Sequence, residues 1–444
     1  MAIRNLLFEH REVAGIEEMD VYEKLGGYDG LRRAVTLERQ AVIDEVKTSG
    51  LRGRGGAGFP TWIKWNGIPK NTDKPHYLIC NADEGEPGTY KDRELMLKTP
   101  HLLVEGMVIA GYACLGTAGY IYIRGEYVEP AWQIRKAIDQ AYKKGYLGKN
   151  ILGIEGFNYD LYIHMGAGSY ECGEESALMS SLMGERGNPR LKAPHAPLPV
   201  HEGVWKSPTL VNNVETYCAA TWILKNGGAE YAKLGTERSK GTKIISVSGH
   251  IAKPANYEVE MGTPLLELLK AAGGVTGGKL KAVIPGGSSV PIMIADKLDK
   301  INLDYESCAA SGTMLGSGGF MVFNDTTDIV LLMKRTSEFY MHESCGKCTP
   351  CREGTRWLFK ILDRITSGGG REGDIELLLD ICSQIDGRSY CGLGDAAAWP
   401  IVGAIKAFRE EFEYWIVHKC SPIGDHAVPP TPVVVNPLLT LTPA

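Results

Sequence analysis

The chain has 444 residues, 44% of them hydrophobic and 23% charged, which is the composition of an ordinary packed globular protein with two or three domains. Its formal net charge of −5 argues against nucleic acid as a main partner. Eleven cysteines are too few for a disulfide scaffold, so we expect a reducing compartment and metal ligation where the cysteines cluster.

The N-terminal half of the chain predicts alternating helices and strands. Residues 1–50 indicate short amphipathic helices, the clearest of them over 37–49. The next predicted elements are strands at 77–80, 119–124 and 157–164, and helices at 101–115, 129–144 and 172–183. This alternation is typical of α/β layering around a largely parallel sheet. Residues 184–209 are rich in proline and glycine and predict a long ordered loop.

The longest apolar stretch, 102–123, is interrupted by Glu105 and by several glycines. It therefore predicts a buried helix followed by a strand, and not a membrane span. The N-terminus lacks the apolar core of a signal peptide and carries acidic residues early. We expect no direct insertion into a membrane, so any membrane association must come through partners.

The pattern changes near residue 241. Strands are predicted at 243–249, 257–260 and 281–284, with a helix over 264–272 that Thr263 caps and Pro264 opens. This order indicates a small α+β domain. From Asp328 to about Lys419 the chain is helical and amphipathic. Residues 421–444 hold six prolines and predict an extended or disordered tail.

The first motif with chemical content is the glycine-rich run GRGGAGFPTWIKW at 53–65. Dense glycine lets the backbone approach a ligand and point its amides at an anion, and Lys64 supplies a positive charge for a phosphate. The run is neither a P-loop nor the dinucleotide-binding fingerprint, because no Gly-Lys-Ser/Thr ends it and no apolar strand precedes it. A flexible turn is the alternative interpretation.

Polar loops follow two of the predicted strands. Asn81, Asp83, Glu84 and Glu86 lie just past the strand at 77–80, at the edge where α/β sheets bind ligands. Such side chains accept hydrogen bonds from ribityl or ribose hydroxyls, although a solvated charged loop has the same composition.

The segment GAGSYECGEE at 166–175 follows the strand at 157–164 and opens a helix, whose N-terminus favours a phosphate. Tyr170 can pack on a ring system, whereas Glu174 and Glu175 are also ordinary partners of a helix dipole. Two adjacent amides, Asn212 and Asn213, can donate to and accept from the edge of a heteroaromatic ring, or simply form a turn.

Three cysteines, Cys345, Cys348 and Cys351, lie within seven residues in a C-x-x-C-x-x-C pattern. Four cysteine thiolates are the usual ligands of a [4Fe–4S] cluster, whereas structural zinc typically takes two separated pairs. The pattern favours iron–sulfur over zinc or over no metal. We expect Cys391 as the fourth ligand because it lies in a glycine-containing turn, while its rival Cys382 shares the apolar stripe of a helix.

With these motifs together, the chain resembles the family of NADH-binding flavoprotein subunits of respiratory complex I (NADH-quinone oxidoreductase), over residues 51–412. The resemblance rests on GRGGAGFP, NADEGEPGTYKDR, IYIRGEY, GAG-x-Y-x-CGEE, NNVET, ESCGKCTPCREG and CGLGDAAAWP. It implies an NADH dehydrogenase that binds FMN, NADH and a [4Fe–4S] cluster. Hydride passes from NADH to FMN, and single electrons then pass to the cluster and through partner subunits towards quinone.

The resemblance also implies the residues of the site. The cofactor-binding residues are Gly53, Arg54, Gly55, Gly56, Gly58, Phe59, Lys64, Asn81, Asp83, Glu84, Glu86, Gly166, Gly168, Tyr170, Gly173, Glu174, Glu175, Asn212 and Asn213. Of these, Glu84, Glu86, Glu174 and Glu175 are expected towards the nicotinamide and its ribose, and Phe59 towards the adenine. Glu86 and Tyr170 are expected at the reacting centre. The cluster ligands are Cys345, Cys348, Cys351 and Cys391.

The implied fold class combines α/β, α+β and all-α parts. A Rossmann-like FMN domain with N-terminal helices takes residues 1–240, a ubiquitin-like β-grasp domain 241–327, a helical [4Fe–4S] domain 328–420 and the tail 421–444. The implied partners are a thioredoxin-like [2Fe–2S] subunit and a large iron–sulfur subunit. The implied location is peripheral, on the cytoplasmic side of the inner membrane or on the matrix side in a mitochondrion.

The chain departs from the family pattern at the NADH end. Trp62 stands where glycine is usual, Gly67 where an aromatic residue is usual, and the loop at 192–205 is longer and lacks a phenylalanine. We expect His195 or Trp62 to replace the missing aromatic rings in a reshaped pocket. Each lost stacking contact costs about 0.5–1.5 kcal/mol.

Two other interpretations stay open. The nearest is the diaphorase subunit of a soluble NAD-linked hydrogenase or formate dehydrogenase, although the first motif starts too early for an extra ferredoxin-like domain before it. The other is a non-catalytic scaffold whose cluster is structural, if the altered pocket no longer binds nucleotide.

Overall fold

The computed structural model describes residues 3–424. Its first elements are four short helices, which are α1 (Met19–Lys24), α2 (Asp29–Ala34), α3 (Arg39–Ser49) and α4 (Thr61–Asn66). The helix predicted over 37–49 is present as α3, and its predicted apolar face, Val42, Ile43 and Val46, is buried.

A four-stranded parallel sheet follows, in the order β3-β2-β1-β4. Its strands are β1 (Tyr77–Ala82), β2 (Ala118–Ile123), β3 (Asp160–Met165) and β4 (Thr209–Asn213). Its helices are α5 (Lys91–Lys98), α6 (Pro100–Ala113), α7 (Val128–Lys143), α8 (Glu175–Leu182), α9 (Val214–Asn226) and α10 (Gly228–Ala232). The predicted parallel layering is confirmed. The chain leaves β1 towards β2 on one side and returns to β4 on the other, so a crevice opens between the carboxyl ends of β1 and β4.

The strand β4 was not predicted, although Asn212 and Asn213 were singled out. It has five residues, nearly all buried, and therefore shows no alternation of polar and apolar side chains. Its register places Asn213 opposite Asn81 of β1. The two asparagines thus end a central strand, and the second one caps α9 by accepting a hydrogen bond from the backbone N–H of Glu215 at 3.0 Å.

A mixed five-stranded sheet forms the next region, in the order β6-β5-β9-β7-β8. Its elements are β5 (Thr242–Gly249), β6 (Ala255–Glu260), α11 (Leu265–Ala271), β7 (Leu280–Ile284), β8 (Met293–Ile294), α12 (Tyr305–Ala310) and β9 (Gly319–Asn324). The predicted cap of α11 is wrong. Pro264 is the N-cap residue, and the Thr263 hydroxyl donates instead to the carbonyl oxygen of Glu260 at 2.7 Å.

The last region is a bundle of four helices, α13 (Ile329–Glu343), α14 (Thr349–Arg364), α15 (Asp374–Ile385) and α16 (Gly392–His418). Each helix packs against the next, and α16 packs back against α13. The predicted helical stretch is confirmed, whereas most of the predicted tail, 425–444, lies outside the described residues. Within 3–424, no helix has both the length and the apolar character that crossing a membrane requires.

The acid that interrupts the apolar stretch, Glu105, joins α6 to the N-terminal helices. Its carboxylate accepts hydrogen bonds from the Tyr22 hydroxyl at 2.6 Å and from the backbone N–H groups of Tyr28 and Leu31 at 2.8 and 3.0 Å. Burial raises its pKa to about 7, even though these donors favour the charged form. Glu105, the acid that interrupts the apolar stretch, is therefore a buried anchor that holds the N-terminal helices against α6.

This anchor predicts a pH dependence of stability. Because the pKa of Glu105 is higher in the folded than in the unfolded chain, the folded state keeps a proton that the unfolded state releases between about pH 4.5 and 7. Its contribution to stability therefore falls as the pH rises, by up to about 1.4 kcal/mol per pH unit. We expect the melting temperature of the native chain to fall relative to that of Glu105→Gln between pH 5 and 7.

The exposed Glu267, on α11, provides the control. The melting curve of Glu267→Gln should follow that of the native chain at each pH. Parallel pH profiles of the native chain and Glu105→Gln would contradict the shifted pKa.

Candidate functional site

Two adjoining cavities occupy the crevice between β1 and β4. One, of about 410 Å³, lies against the loop after β1, and the other, of about 580 Å³, lies against the glycine-rich loop. They share five lining residues, which are Gly55, Ala57, Asn81, Gly173 and Asn213. The two cavities therefore form one elongated site.

The structure brings nearly all the predicted cofactor-binding residues to this site. The residues in the lining are Gly53, Gly55, Gly56, Gly58, Phe59, Lys64, Asn81, Asp83, Glu84, Glu86, Tyr170, Gly173, Glu174, Glu175, Asn212 and Asn213. The exceptions are Arg54, Gly166 and Gly168. Gly166 and Gly168 instead pack against the turn after β2, where a Cβ on Gly125 would lie 2.6 Å from the carbonyl oxygen of Gly166.

Arg54 has a different place from the predicted one. Its buried guanidinium donates to the carbonyl oxygens of Arg52, Lys240 and Thr242 at 2.8, 2.6 and 2.9 Å. It thus points towards the region of the mixed five-stranded sheet and away from both cavities. Its role in the structure is to fix the glycine-rich loop against the start of β5.

The glycine-rich loop comes close to the end of β4. A Cβ on Gly55 would lie 3.2 Å from the Cβ of Asn213, so a side chain there would press on the amide at the centre of the site. Lys64 lies in the same cavity and forms an ion pair of 2.8 Å with Glu175. A backbone loop without side chains beside a lysine is an arrangement that accommodates a phosphate.

The three acids after β1 have three different environments. Asp83 lines the cavity, and its buried Oδ2 atom has no hydrogen-bond partner. Burial raises the pKa of Asp83 to about 7. A buried oxygen without a partner is costly, and an ordered water or a ligand hydroxyl can supply the missing donor.

Glu84 accepts hydrogen bonds from the backbone N–H groups of Asp92 and Arg93 at 2.9 and 3.0 Å, and from the Tyr127 hydroxyl at 2.9 Å. It thereby caps α5. Burial raises its pKa to about 7, and the neighbouring Asp92 adds to the shift.

Glu86 lies where three regions of the chain meet. Its carboxylate accepts from the Tyr170 hydroxyl at 2.7 Å and from the backbone N–H of Ser289 at 2.8 Å. The hydroxyl of Ser288, in the region of the mixed sheet, lies 2.9 Å from the hydroxyl of Tyr340 on α13. Burial raises the pKa of Glu86 above its ordinary value.

A buried group of charges lies behind the site and was not predicted. The Lys91 ammonium lies 2.6 Å from Asp92 and 3.0 Å from Glu215, and Lys243 lies 2.6 Å from the same Glu215 oxygen. Burial opposes the charged form of Lys91, but the two carboxylates raise its pKa overall. Lys91 and Asp92 also line the cavity. The motif NADEGEPGTYKDR contains both residues, but the sequence does not show that they are buried, so their place at the site was not predicted.

The four predicted cluster cysteines lie together at one end of the helical bundle. Cys351 is buried with Tyr340 and Leu393, and Cys348 and Cys391 pack against this group. Burial raises the pKa of Cys351 to about 12, with further contributions from Cys348 and Cys345. The rival Cys382 lies elsewhere, in the apolar core of the bundle.

The donor set of this cysteine pocket fits an iron–sulfur cluster. Within residues 3–424, no three His, Cys, Asp or Glu side chains are arranged so that they could coordinate one single metal ion. Four thiolates are the usual ligands of a [4Fe–4S] cluster, one for each iron. The positive charge of the iron ions would favour the thiolate forms that burial disfavours. The backbone N–H of Tyr390 also points to the Cys348 sulfur, at 3.4 Å.

The cysteine pocket and the cavity share a wall. The Cys391 thiol donates to Glu171 at 3.1 Å, and Glu171 lines the cavity together with Gly392 and Leu393. On the same wall, the Tyr170 ring packs edge-on against Phe339, with ring centroids 5.2 Å apart. Glu171 was not predicted because it fills one of the two unspecified positions of the motif.

The far end of the larger cavity differs from expectation. Phe59 is there and is 47% exposed. Trp62 packs over the Lys47 ammonium at 4.8 Å and is not part of the lining, so the structure does not place it where it was expected to replace an aromatic ring. His195 is exposed outside the lining as well, and His201 and Leu198 line this end instead.

Three family models match the chain. The Nuo51 FMN-binding domain matches residues 46–222, the SLBB domain 244–292, and the iron–sulfur binding region of NADH-ubiquinone oxidoreductase-F 331–415. The first match covers most of the lining of the crevice and the last covers the cysteine pocket.

Whole proteins match as well. The chain is 49% identical to the F subunit of NADH-quinone oxidoreductase of Rickettsia bellii (strain OSU 85-389) over 394 residues, 88% of this chain and 94% of the relative. It is 46% identical to the protein of the same name in Rickettsia akari (strain Hartford), over 92% of this chain and 96% of the relative.

Solved structures of an NAD⁺-reducing [NiFe]-hydrogenase are also similar. The H₂-reduced form has a TM-score of 0.79 at 38% identity and covers 85% of this chain. The air-oxidised form has a TM-score of 0.79 at 36% identity and covers 92% of this chain. This chain spans 63% and 66% of the respective hydrogenase chains.

The separation of Cys391 from Cys382 predicts opposite effects of two substitutions. Cys391→Ser should lower the iron and acid-labile sulfide content of anaerobically purified protein by most of one cluster, because it removes a thiolate from the pocket. Cys382→Ala should keep the cluster and lower only the melting temperature, because it leaves a small void in the apolar core. Loss of iron from Cys382→Ala, with full retention in Cys391→Ser, would reverse the assignment.

Proposed function

We infer the function from a premise that the comparisons provide: the chain belongs to the family of NADH-binding flavoprotein subunits of NADH-quinone oxidoreductase. It is the NADH dehydrogenase subunit through which electrons enter, with FMN, NADH and a [4Fe–4S] cluster as its cofactors. Hydride passes from NADH to FMN, and single electrons pass to the cluster and onward towards quinone. The observation that carries this proposal is the wall that the crevice and the cysteine pocket share at Tyr170, Glu171 and Leu393.

FMN, when bound, supplies the conversion of a two-electron hydride into single electrons, which a cluster accepts one at a time. The protein residues supply position and charge. We propose that Lys64 and the amides of the glycine-rich loop hold the phosphate, and that the unpartnered oxygen of Asp83 accepts a hydrogen bond from a ribityl hydroxyl. Asn81 and Asn213 face each other across β1 and β4 and are proposed to contact the ring edge.

We propose that Glu86 and Tyr170 act at the reacting centre. Both line the cavity next to the cysteine pocket, and each fixes the other through their hydrogen bond of 2.7 Å. Carboxylates of the lining that lie near the adenosine ribose would also repel a 2′-phosphate and so favour NADH over NADPH. Glu174 contributes to this lining while it caps α8, and it pairs with Lys192 at 2.8 Å.

The domain boundaries, the partners and the location are also proposals. The Rossmann-like FMN domain would take residues 1–240, the ubiquitin-like β-grasp domain 241–327, the helical cluster domain 328–420 and the tail 421–444. The parallel sheet, the mixed sheet and the four-helix bundle support these boundaries. The proposed partners are a thioredoxin-like [2Fe–2S] subunit and a large iron–sulfur subunit of a complex I. The proposed location is peripheral, on the cytoplasmic side of the inner membrane or the matrix side in a mitochondrion.

The function is tested by the absorbance spectrum of anaerobically purified protein before and after NADH. We expect a flavin band that bleaches on addition of NADH and a broad iron–sulfur absorption. A protein without a yellow chromophore, or with zinc in place of iron, would overturn the proposal. NADH–ferricyanide activity of FMN-loaded protein distinguishes the enzyme from a non-catalytic scaffold.

A second candidate is the diaphorase subunit of a soluble hydrogenase, which the similarity to the solved hydrogenase chains favours. Purification of the native complex distinguishes the two. Membrane subunits that co-purify support the quinone-linked enzyme, whereas hydrogenase subunits support the alternative.

The Tyr170 hydroxyl predicts a kinetic effect. Tyr170→Phe keeps the ring packing against Phe339 but removes the hydrogen bond to Glu86, which is worth about 1.5–3 kcal/mol for a charged acceptor. We expect flavin reduction by NADH, measured by stopped-flow absorbance, to slow at least about tenfold with FMN content unchanged. Tyr162→Phe, at an exposed position on β3, is the control. An unchanged rate in Tyr170→Phe would show that the hydroxyl has no such role.

The far end of the cavity predicts an effect on affinity. Phe59→Ala should weaken NADH binding by about 0.5–1.5 kcal/mol, or roughly two- to tenfold in Kd, because its ring lines the cavity and is free to stack on a base. Trp62→Ala should leave the Kd unchanged, since Trp62 faces Lys47. Titration of NADH into FMN-loaded protein measures both. A larger effect at Trp62 than at Phe59 would mean that the adenine binds elsewhere.

A further inference from the structure

The Asn213 amide lies at the centre of the crevice, at the carboxyl end of β4, and lines both cavities. An asparagine amide has an oxygen that accepts hydrogen bonds and a nitrogen with two N–H donors. A half-turn about the last bond of the side chain exchanges the two ends. What Asn213 offers to a ligand therefore depends on the groups that hold each end of its amide.

Two donors hold the oxygen end of the amide. The Lys91 ammonium lies 3.2 Å from the Oδ1 atom of Asn213, and the backbone N–H of Glu215 donates to the same atom at 3.0 Å. An ammonium and a backbone N–H have hydrogens to donate and no acceptor atom. This end of the amide is therefore the oxygen.

A carboxylate holds the nitrogen end. The Nδ2 atom of Asn213 donates to the Oδ2 atom of Asp92 at 2.6 Å. The carbonyl oxygen of Asn81 lies 3.4 Å from the same nitrogen, which is a long contact that leaves the second N–H available to a ligand. The reverse orientation would place the amide oxygen against the Asp92 carboxylate and the nitrogen against the Lys91 ammonium. The orientation is therefore fixed by charge.

The two charged groups are held in place themselves. Lys91 and Asp92 are the first residues of α5, both are buried, and their charged atoms are 2.6 Å apart. The Glu215 carboxylate lies 3.0 Å from the same ammonium. The two carboxylates raise the pKa of Lys91 overall, so its charge is kept. Buried ion pairs of this kind act at short range and with little screening by water.

The asparagine on the neighbouring strand has the same polarity. The Oδ1 atom of Asn81 accepts from the backbone N–H of Asp83 at 3.2 Å, and its Nδ2 atom donates to the carbonyl oxygen of Gly173 at 2.8 Å. One amide N–H of Asn81 is left for a ligand, as it is in Asn213. The centre of the crevice is therefore suited to a ring edge that carries acceptor atoms.

We propose that Lys91 and Asp92 are positioning residues for the flavin. They hold the Asn213 amide with an N–H towards the cavity, so that the site presents a donor to an acceptor atom at the edge of the ring. This inference rests on the proposed function, in which FMN occupies the crevice. A fixed donor at that edge stabilises negative charge, and the flavin ring gains negative charge when it is reduced.

Lys91→Met tests the oxygen end of the amide, because it removes the ammonium that holds Oδ1. Lys243→Met is the matched control. Both ammonium groups are buried and lie on the same oxygen of Glu215, at 3.0 and 2.6 Å. The hydrogen bonds of Lys243 go to Glu215 and to the carbonyl oxygen of Ile244. Each variant therefore removes one buried charge from the same group, but only Lys91→Met frees Asn213.

Equilibrium dialysis of the purified chain against FMN, without oxygen, measures the Kd of oxidised FMN and of FMN reduced with dithionite. We expect Lys91→Met to raise the first Kd about two- to tenfold and the second at least about tenfold, because a hydrogen bond to a charged acceptor is the stronger one. Lys243→Met should leave both values close to those of the native chain. A purely structural role would raise both Kd values by one factor, so equal factors in Lys91→Met would overturn the proposal. Equal effects of the two lysine variants would overturn it as well.

Asp92→Asn tests the nitrogen end and keeps the proposal falsifiable if Lys91→Met does not fold. It preserves the shape of the side chain and the Lys91 ammonium but removes the charged acceptor of the Asn213 N–H. We expect the Kd of reduced FMN to rise more than that of oxidised FMN, with an unchanged circular dichroism spectrum. Native Kd values for both forms in Asp92→Asn would overturn the proposal.

The native chain separates this inference from the function on which it rests. A native chain that binds no FMN would overturn the proposed function and this inference with it. A native chain that binds FMN, with variants that do not change the ratio of the two Kd values, would overturn the positioning role of Lys91 and Asp92 alone.

Discussion

The rest of the site depends on the junction at Glu86. This buried carboxylate receives the Tyr170 hydroxyl from the sheet region and the backbone N–H of Ser289 from the second region, while Ser288 meets Tyr340 of the bundle. The junction thus fixes the bundle, and with it the cysteine pocket, against the wall of the crevice. Electron transfer falls steeply with distance, so a protein that passes electrons from a flavin to a cluster requires this wall to be thin and rigid. A buried acid with several donors fixes the geometry of this wall, because hydrogen bonds are directional.

The buried charges also fix one region of the chain against another. Lys91 and Lys243 share Glu215, and Asp92 and Asn213 complete the group, so each charge taken out of water has an opposite charge or an amide within 3.2 Å. Such networks gain little net stability, since desolvation offsets most of the attraction. Their value is positional: Lys243 belongs to β5, and Glu215 follows Asn213 at the end of β4. The network therefore ties the second sheet to the crevice at the point where Asn213 and Gly55 meet.

The sequence predicted most of the elements and fewer of their contacts. Helices with a clear period, such as α3 and α7, were placed within a few residues because one face of each is apolar, whereas the bundle was predicted only as one helical stretch. The short strand β4 was missed because a strand buried on both faces has no alternation. Side-chain direction was also beyond reach. Arg54 sits in the most glycine-rich motif and points out of the site, whereas Glu171 occupies an unspecified position and contacts Cys391, a predicted cluster ligand. Sequence spacing places a residue near a site, but only the packing of neighbouring elements decides which way it faces.

The acids after β1 illustrate this limit and explain the electrostatics of the crevice. They look equivalent in the motif, yet Glu84 caps α5 and Glu86 holds the regional junction, so only Asp83 has an oxygen left for a ligand. Burial raises the pKa values of Asp83 and Glu84 to about 7, which reduces the negative charge that a phosphate-bearing cofactor meets there. The Lys64 and Lys91 ammonium groups face the same site from two sides. An acidic motif can therefore line an anion-binding crevice. Donors of the protein itself already bind most of its carboxylates, and burial raises the pKa of the remaining one, Asp83.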